Sequence, residues 1–266
     1  MCQLPNSHEE WETISNGFRN RWNFPLCCGA IDGKHVLINA PDEGSEYYNY
    51  KGFNSVVLMA VADYKYCVSY FEVGKKGSES DGRVFQNCSL LELLENGLLP
   101  TGNFLVGDDA FPLKPYLMKA YKNYNRPLTQ EESIFNYRLS RARRIIENVF
   151  GILLSRFRFL DRKLAVKLGT VNKLVSAACA LHNWLVITSK ATYLSAGAID
   201  EENNETGEII PGRWRSEIRV LRGLEKYGGH RTTKLAKKMR DRLKAYLNNE
   251  DAVSWQYEAT FGTSRD

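Results

Sequence analysis

The chain has 266 residues, of which 43% are hydrophobic and 25% are charged, as expected for a globular protein with one large core. No N-terminal apolar segment is typical of a signal peptide, and no run of about 18 apolar residues could span a membrane. We therefore expect a soluble, intracellular protein. Six cysteines without a CxxC pair, together with only four histidines, argue against a structural zinc site.

The net charge of +5 is modest, but two stretches of the chain concentrate positive charge. Residues 138–173 contain ten Lys or Arg against two acids, and residues 231–244 contain seven against one. One such stretch alone is most simply a solvated helix face. Two of them beside a carboxylate site favour a nucleic-acid partner.

The first half of the chain predicts one helix followed by strands. Ser7 is a suitable N-cap for a helix over residues 7–20. A strand or a hairpin is predicted over residues 26–39, with Gly33 allowing a bulge after Asp32. Two β-rich runs then follow and read as an antiparallel hairpin, over residues 56–62 and 67–73.

The second half of the chain predicts mostly helices. A helix begins at Asp81 and ends at Gly97, and a short buried strand follows at residues 104–107. Apolar residues with helical spacing then predict three further helices, over residues 112–122, 137–157 and 170–188.

Three carboxylates lie in apolar surroundings that disfavour a charge. Asp32 ends a buried strand, Asp108 ends the next buried run, and Glu147 lies on an apolar helix. Two acids at strand ends and one on a later helix are the ligands that two divalent ions require for phosphodiester cleavage. We predict that Asp32 bridges the ions and that Asp108 and Glu147 hold one ion each.

Each of these acids also has a structural explanation. Asp32 and Asp108 could be turn residues, and Glu147 could pair with Arg143 or Arg144 one helical turn earlier. The three acids support a metal site only when they are considered together on the predicted topology.

Nearby residues have simpler interpretations. Asp81 is most simply a helix N-cap, and we place Asp81 and Asp109 at the edge of the site, beyond the metal-binding residues. Gly151, four residues after Glu147, leaves room either for metal or DNA or for close helix packing. His182 is interpreted as a histidine satisfied within its helix rather than as a ligand.

The element order is that of an α/β, RNase H-like fold, a mixed sheet flanked by helices, with a helical, basic C-terminal tail. We divide the chain into four parts. They are a helical lead-in (1–25), a nuclease domain (26–190), a flexible acidic linker (191–212) and a basic amphipathic tail (213–266).

Several motifs resemble those of the PIF/Harbinger transposases and the nucleases derived from them. Residues 29–36 (GAIDGKHV), 107–113 (GDDAFPL) and 141–151 (RARRIIENVFG) resemble the first, second and third catalytic motifs of that family. Residues 77–81 (GSESD) and 181–183 (LHN) are also typical of it. The motifs occur in the expected order, which makes the resemblance specific.

The resemblance implies a DDE nuclease fold, DNA as the substrate, and two divalent ions, Mg²⁺ or Mn²⁺, held by Asp32, Asp108 and Glu147. It also implies a nuclear location, with the cytoplasm and a homo-oligomer left open. Full-length relatives carry an N-terminal helical DNA-binding region before the first motif. We therefore expect little sequence preference from this chain alone, with specificity supplied by a Myb-like DNA-binding partner protein.

We therefore predict a divalent-metal-dependent DNA endonuclease of Harbinger-transposase descent, with strand transfer as a further reaction. The alternative is a domesticated DNA- or chromatin-binding protein that keeps the fold without catalysis. The side chains predicted to contact DNA phosphates are basic residues around the site: Lys34, Arg141, Arg143, Arg144, Arg156 and Arg158.

Overall fold

A five-stranded mixed sheet forms the centre of the protein. The computed structural model describes residues 4–41, 44–123, 126–203, 208–218 and 232–262. The strands are β1 (Cys27–Leu37), β2 (Ser55–Ala62), β3 (Val68–Lys76), β4 (Phe104–Val106) and β5 (Leu117–Met118). Their order in the sheet is β3–β2–β1–β4–β5. The first three strands are antiparallel, whereas β4 runs parallel to β1 and β5 runs parallel to β4.

Helices cover both faces of this sheet. They are α1 (His8–Trp22), α2 (Asp81–Gln86), α3 (Ser89–Glu95), α4 (Gln130–Arg156), α5 (Leu168–Thr188), α6 (Lys190–Tyr193), α7 (Trp214–Glu217), α8 (Lys234–Asn248) and α9 (Gln256–Phe261). Ala30 and Val36 of β1 enter the core formed with α4 and α5, whereas Ile31 enters the core formed with α2 and α3. The predicted α/β, RNase H-like architecture is confirmed.

The first elements match the sequence predictions closely. The Ser7 hydroxyl caps α1 and accepts a hydrogen bond from the Glu10 N–H at 3.2 Å. The strand β1 and the β2–β3 hairpin form where expected. The predicted bulge at Gly33 is wrong, because Gly33 pairs regularly with Met59. The irregularity in β1 lies earlier, between Cys27 and Ala30, where β1 pairs with β4.

Three later predictions need correction. The helix predicted to run from Asp81 to Gly97 is two short helices, α2 and α3. The helix predicted at 112–122 is wrong, because this segment forms β5 instead. Pro112 and Pro115 lack the amide donors that a helix needs, and Leu117 and Met118 pair with β4. The helix α4 begins at Gln130, earlier than predicted, behind a Thr129–Glu132 capping box.

The Leu181–Asn183 motif fastens α5 to the sheet. The Asn183 side chain accepts from the Val68 N–H and donates to the Val68 carbonyl, both at 2.7 Å. The His182 ring is fully buried between the Tyr193 hydroxyl, at 2.9 Å, and the Tyr66 carbonyl, at 2.8 Å. Both nitrogens of His182 therefore have partners, and its predicted structural role is confirmed.

The segment predicted to be a flexible acidic linker, residues 191–212, packs against α4 where the structure describes it. The Glu202 carboxylate, only 3% exposed, pairs with Arg141 at 2.7 Å and with Arg144 at 2.6 Å. The Asp200 N–H donates to the Asn148 Oδ1 at 3.0 Å. The linker prediction is wrong here because Glu202 neutralises two buried arginines and Asp200 pairs with Arg215, so these acids do not face water.

The C-terminal region is helical, as predicted, and it packs on the same domain. Arg138 of α4 is completely buried. Its guanidinium donates to the Asn23 carbonyl at 2.9 Å and pairs with Asp251 at 2.7 Å, which ties α1 and the α8–α9 turn to α4. Arg231, at the start of the second basic stretch, lies outside the described residues. Within the described residues, no helix combines the length and the apolar character needed to cross a membrane.

Gly151 of α4 is a packing residue for the C-terminal region. A Cβ atom at this position would lie 2.2 Å from Cδ2 of Trp214. Trp214 is 2% exposed, and its indole N–H donates to the Asn148 Oδ1 at 2.8 Å. Of the two interpretations of this glycine, close packing is the one that the structure supports.

We expect Gly151→Ala to destabilise the protein by about 1–3 kcal/mol, because the added methyl group forces Trp214 out of its site. Urea unfolding measures the change. Gly169→Ala in α5 is the matched control, since a Cβ atom there meets nothing within 4 Å and alanine is the better helix former. Equal stability of Gly151→Ala and the wild type would contradict the packing of Trp214 on α4.

Candidate metal centre

The parallel pairing of β1 with β4 brings Asp32 and Asp108 to the same place. Ala30 of β1 pairs with Val106 of β4. Asp32 lies two residues after Ala30, and Asp108 lies two residues after Val106. Asp108 is held in its loop because its Oδ1 accepts from the Ala110 N–H at 2.8 Å. The two acids therefore lie side by side where the sheet opens between β1 and β4.

A third carboxylate, Asp81, converges on the same point. Asp32, Asp81 and Asp108 each offer one carboxylate oxygen, and these three oxygens lie within 4.8 Å of one another. We predicted Asp81 to be a helix N-cap at the edge of the site. The N-cap prediction is wrong, because Ser80 holds the N-cap position and Asp81 is the first residue of α2. The structure places the Asp81 side chain inside the carboxylate cluster.

Glu147, on α4, is near this cluster but is not one of the three converging carboxylates. Its side chain is 38% exposed, and its carboxylate lies 3.6 Å from the Arg143 guanidinium and 3.7 Å from that of Arg215. Of the two pairings considered from the sequence, the one with Arg143 forms, whereas Arg144 pairs with Glu202. Glu147 is close enough for its charge to raise the pKa of Asp32.

Asp109 has a different environment from Asp108. It is not among the three clustered carboxylates, and its side chain pairs with Lys122 at 3.3 Å. Its backbone carbonyl accepts from the Lys119 ammonium at 3.2 Å. The Asp109 side chain therefore belongs to an ion pair with Lys122 and not to the carboxylate cluster.

The clustered acids repel one another, and this repulsion shifts their protonation. Removal from water raises the pKa of Asp32 to about 7; Arg143 opposes the shift, and the charges of Asp108 and Glu147 add to it. Burial, together with the charges of Asp32 and Asp108, holds the pKa of Asp81 well above its usual range. When ionised, the cluster would therefore carry more negative charge than the surrounding protein neutralises, and its oxygens are the hard donors that Mg²⁺ and Mn²⁺ prefer.

Three of the predicted phosphate contacts need correction. Arg141 is 1% exposed and Arg144 is 6% exposed, and both pair with Glu202. Lys34 is 4% exposed, and burial lowers its pKa to about 8 while the nearby charge of Asp32 opposes that shift. These three side chains are enclosed by protein and do not present their charges to a DNA backbone.

The other three predicted phosphate contacts remain accessible, and Arg215 is a further accessible cation near the site. Arg156 and Arg158 are exposed at the end of α4, and Arg143 is partly exposed. The sequence analysis missed Arg215, whose guanidinium is held by Asp200 at 2.5 Å and stacks over the Trp214 ring. No linear motif pointed to Arg215, because α7 reaches Glu147 only through tertiary packing.

Comparison with known proteins agrees with this geometry. A family model described as "DDE superfamily endonuclease" matches residues 31–183, a range that contains all four acids of the site. The chain belongs to the DDE endonuclease superfamily. It is a relative of the Harbinger transposase-derived nucleases within it.

The relatives found are moderately similar to the chain. HARBI1 of Homo sapiens, named as a candidate nuclease, is 30% identical over 187 residues, which cover 69% of this chain and 52% of the human protein. An ALP1-like protein of Arabidopsis thaliana is 28% identical over 200 residues, which cover 67% of this chain and 48% of that protein. The chain thus spans about half the length of the curated relatives it matches. No solved structure matches it significantly.

The raised pKa of Asp32 predicts a specific pH dependence of stability. A carboxylate in the unfolded chain titrates near 3.9, so between about pH 4 and pH 7 the folded protein binds more protons at Asp32. The free energy of unfolding should therefore fall as the pH rises through this window, by up to about 1.4 kcal/mol per pH unit.

Urea unfolding of the wild type and Asp32→Asn, in EDTA, measures this effect. We expect the two proteins to be equally stable near pH 4 and Asp32→Asn to be the more stable near pH 8. A stability difference that is independent of pH, or a wild type that is the more stable at pH 8, would contradict the crowding of charge around Asp32.

Proposed function

We propose that this chain is a divalent-metal-dependent DNA endonuclease that hydrolyses phosphodiester bonds. The observation that carries the proposal is the convergence of the Asp32 and Asp108 carboxylates on one point, with Glu147 near enough to shift the pKa of Asp32. These acids fit the pair of divalent ions used in such reactions, because they supply oxygen donors and an excess of negative charge. Membership of the DDE endonuclease superfamily supports the same reaction.

The residues of the site have distinct roles in this proposal. Asp32 would hold both ions, and Asp108 and Glu147 would hold one each. When bound, divalent ions would supply the Lewis acidity that activates water and neutralises charge on the leaving oxygen. The rigid sheet and α4 keep the carboxylates in place before DNA arrives, so little reorganisation is needed during the reaction. If a freed 3′-hydroxyl replaces water as the attacking group, the same site carries out strand transfer.

Accessible cations around the site are suited to the DNA backbone. Arg143 and Arg215 lie next to Glu147, and Arg158 is exposed just beyond the end of α4. Guanidinium groups bind phosphate oxygens through paired hydrogen bonds. A duplex held by these groups passes over the carboxylate cluster with contacts that carry little sequence information.

The proposed activity also implies a cellular location and partners for the protein. A nuclease acting on chromosomal DNA requires a nuclear location. A separate Myb-like DNA-binding protein would supply the sequence preference that backbone contacts do not provide. A homo-oligomer is part of the same proposal.

Asp32→Asn should reduce Mn²⁺- or Mg²⁺-dependent nicking of supercoiled plasmid by at least about 100-fold, without loss of the fold. Asp109→Asn is the matched control, because Asp109 pairs with Lys122 outside the cluster and should keep wild-type activity. Equal nicking by Asp32→Asn and the wild type would refute the catalytic assignment. DNA binding without any metal-dependent nicking by the wild type would favour the catalytically silent DNA- or chromatin-binding protein.

Neutralising Arg156 and Arg158 together should weaken binding to all duplexes alike. Each lost phosphate contact should flatten the dependence of log K on log salt by about one unit. Gel shifts of Asp32→Asn carrying both changes, with transposon-end-like and random duplexes, measure this. Lys65→Gln in the exposed β2–β3 turn is the control and should leave the slope unchanged. Binding that does not respond to salt would rule out phosphate contacts.

A further inference from the structure

Asp81 carries a carboxylate, which is usually found at the protein surface, yet it is buried as deeply as a core residue. It is 1% exposed, and neither of its carboxylate oxygens has a hydrogen-bond partner in the described structure. An ionised carboxylate in such a place costs several kcal/mol unless an opposite charge compensates it. The protein's own cations do not provide a direct partner. Lys51 and Arg143 act on Asp81 only through their charges, and neither donates a hydrogen bond to it.

The turn before α2 holds Asp81 in this position. A Cβ atom at Gly77 would lie 2.5 Å from the Ser55 carbonyl and 2.7 Å from the Tyr47 carbonyl, so only glycine allows this close approach to β2. The Ser78 hydroxyl then donates to the Glu46 carbonyl at 2.7 Å. These contacts fix the GSESD segment that delivers Asp81 to the cluster.

A second contact couples Asp81 to Asp108. Phe85, one turn after Asp81 in α2, packs edge-on against Phe111 with 5.6 Å between the ring centroids. Phe111 belongs to the loop that begins at Asp108, and its N–H donates to the Asp108 carbonyl at 3.3 Å. Both rings are completely buried. The hydrophobic core therefore holds the two carboxylates near each other despite their repulsion.

We propose that Asp81 is a direct ligand of the divalent cation, so that the centre is built from four carboxylates instead of three. The oxygen of Asp81 that faces Asp32 and Asp108 within 4.8 Å has no other partner, and a divalent cation at that point satisfies all three side chains. The inference rests on the proposed metal site and adds a ligand from α2 to it. It also explains why the GSESD turn is built so tightly.

Mn²⁺ binding to the full chain tests this inference without relying on activity. Isothermal titration of wild type, Asp81→Asn, Asp32→Asn and Asp109→Asn gives the affinities, and melting in EDTA gives the metal-free stabilities. We expect Asp81→Asn to bind Mn²⁺ at least about tenfold more weakly than wild type. Its metal-free stability should be equal or higher, because the change removes a repelling charge. Asp109→Asn should match the wild-type Mn²⁺ affinity, whatever the loss of its ion pair with Lys122 does to stability.

Asp81→Cys gives an independent readout of direct coordination. A thiolate at a ligand position binds the soft ion Cd²⁺, and a Cd–S bond produces ultraviolet charge-transfer absorbance. We expect this absorbance for Asp81→Cys, after subtraction of the wild-type signal, and not for Asp109→Cys. Wild-type Mn²⁺ affinity in Asp81→Asn, or no Cd–S absorbance in folded Asp81→Cys, would overturn the assignment.

The same series separates this inference from the proposed function. If Asp32→Asn loses Mn²⁺ binding but Asp81→Asn keeps it, the metal site stands and the fourth ligand is refuted. If the wild type shows no saturable Mn²⁺ binding, both are refuted. If Asp81→Asn melts well below the wild type in EDTA, Asp81 serves the fold and the inference is also refuted.

Discussion

The parallel pairing of β1 with β4 is the constraint on which the site depends. It places Asp32 and Asp108 at equivalent positions beyond Ala30 and Val106, where like charges repel. The two hydrophobic cores on either side of the sheet supply the free energy that holds these acids together. The result is a rigid, negatively charged point at an opening of the sheet. A divalent cation would relieve the repulsion there, and this is the basis of the proposed metal site.

The helix α4 serves the core and the site at the same time. Its arginines follow this division, because Arg138 and Arg141 are buried in ion pairs with later segments of the chain, whereas Arg143 turns towards Glu147. The region after α5 is bound to the domain through these pairs and through Trp214 on Gly151. It therefore brings Arg215 to within 3.7 Å of Glu147, so the region after α5 contributes to the site as well as to stability.

Much of the fold could be predicted from the sequence, because its elements have strong local signals. Ser7 as an N-cap, the β2–β3 hairpin and the apolar helices α4 and α5 all have clear periodicity or capping residues. The predictions failed where tertiary contacts decide the outcome. Segment 112–122 becomes a strand by pairing with β4. The burial of Arg141 depends on Glu202, far away in sequence, and the position of Asp81 depends on how α2 packs against Phe111.

The most direct test of the account is the anomalous scattering of manganese in crystals of the wild-type chain soaked in Mn²⁺. The account predicts anomalous density between the carboxylates of Asp32 and Asp108, with oxygens from both within about 2.3 Å of the ion, a little beyond the 2.0–2.1 Å of the smaller Mg²⁺. Crystals of Asp32→Asn treated in the same way should lack this density. Anomalous density elsewhere, or an intact cluster with no bound ion at saturating Mn²⁺, would contradict the central claim that these acids form a metal centre.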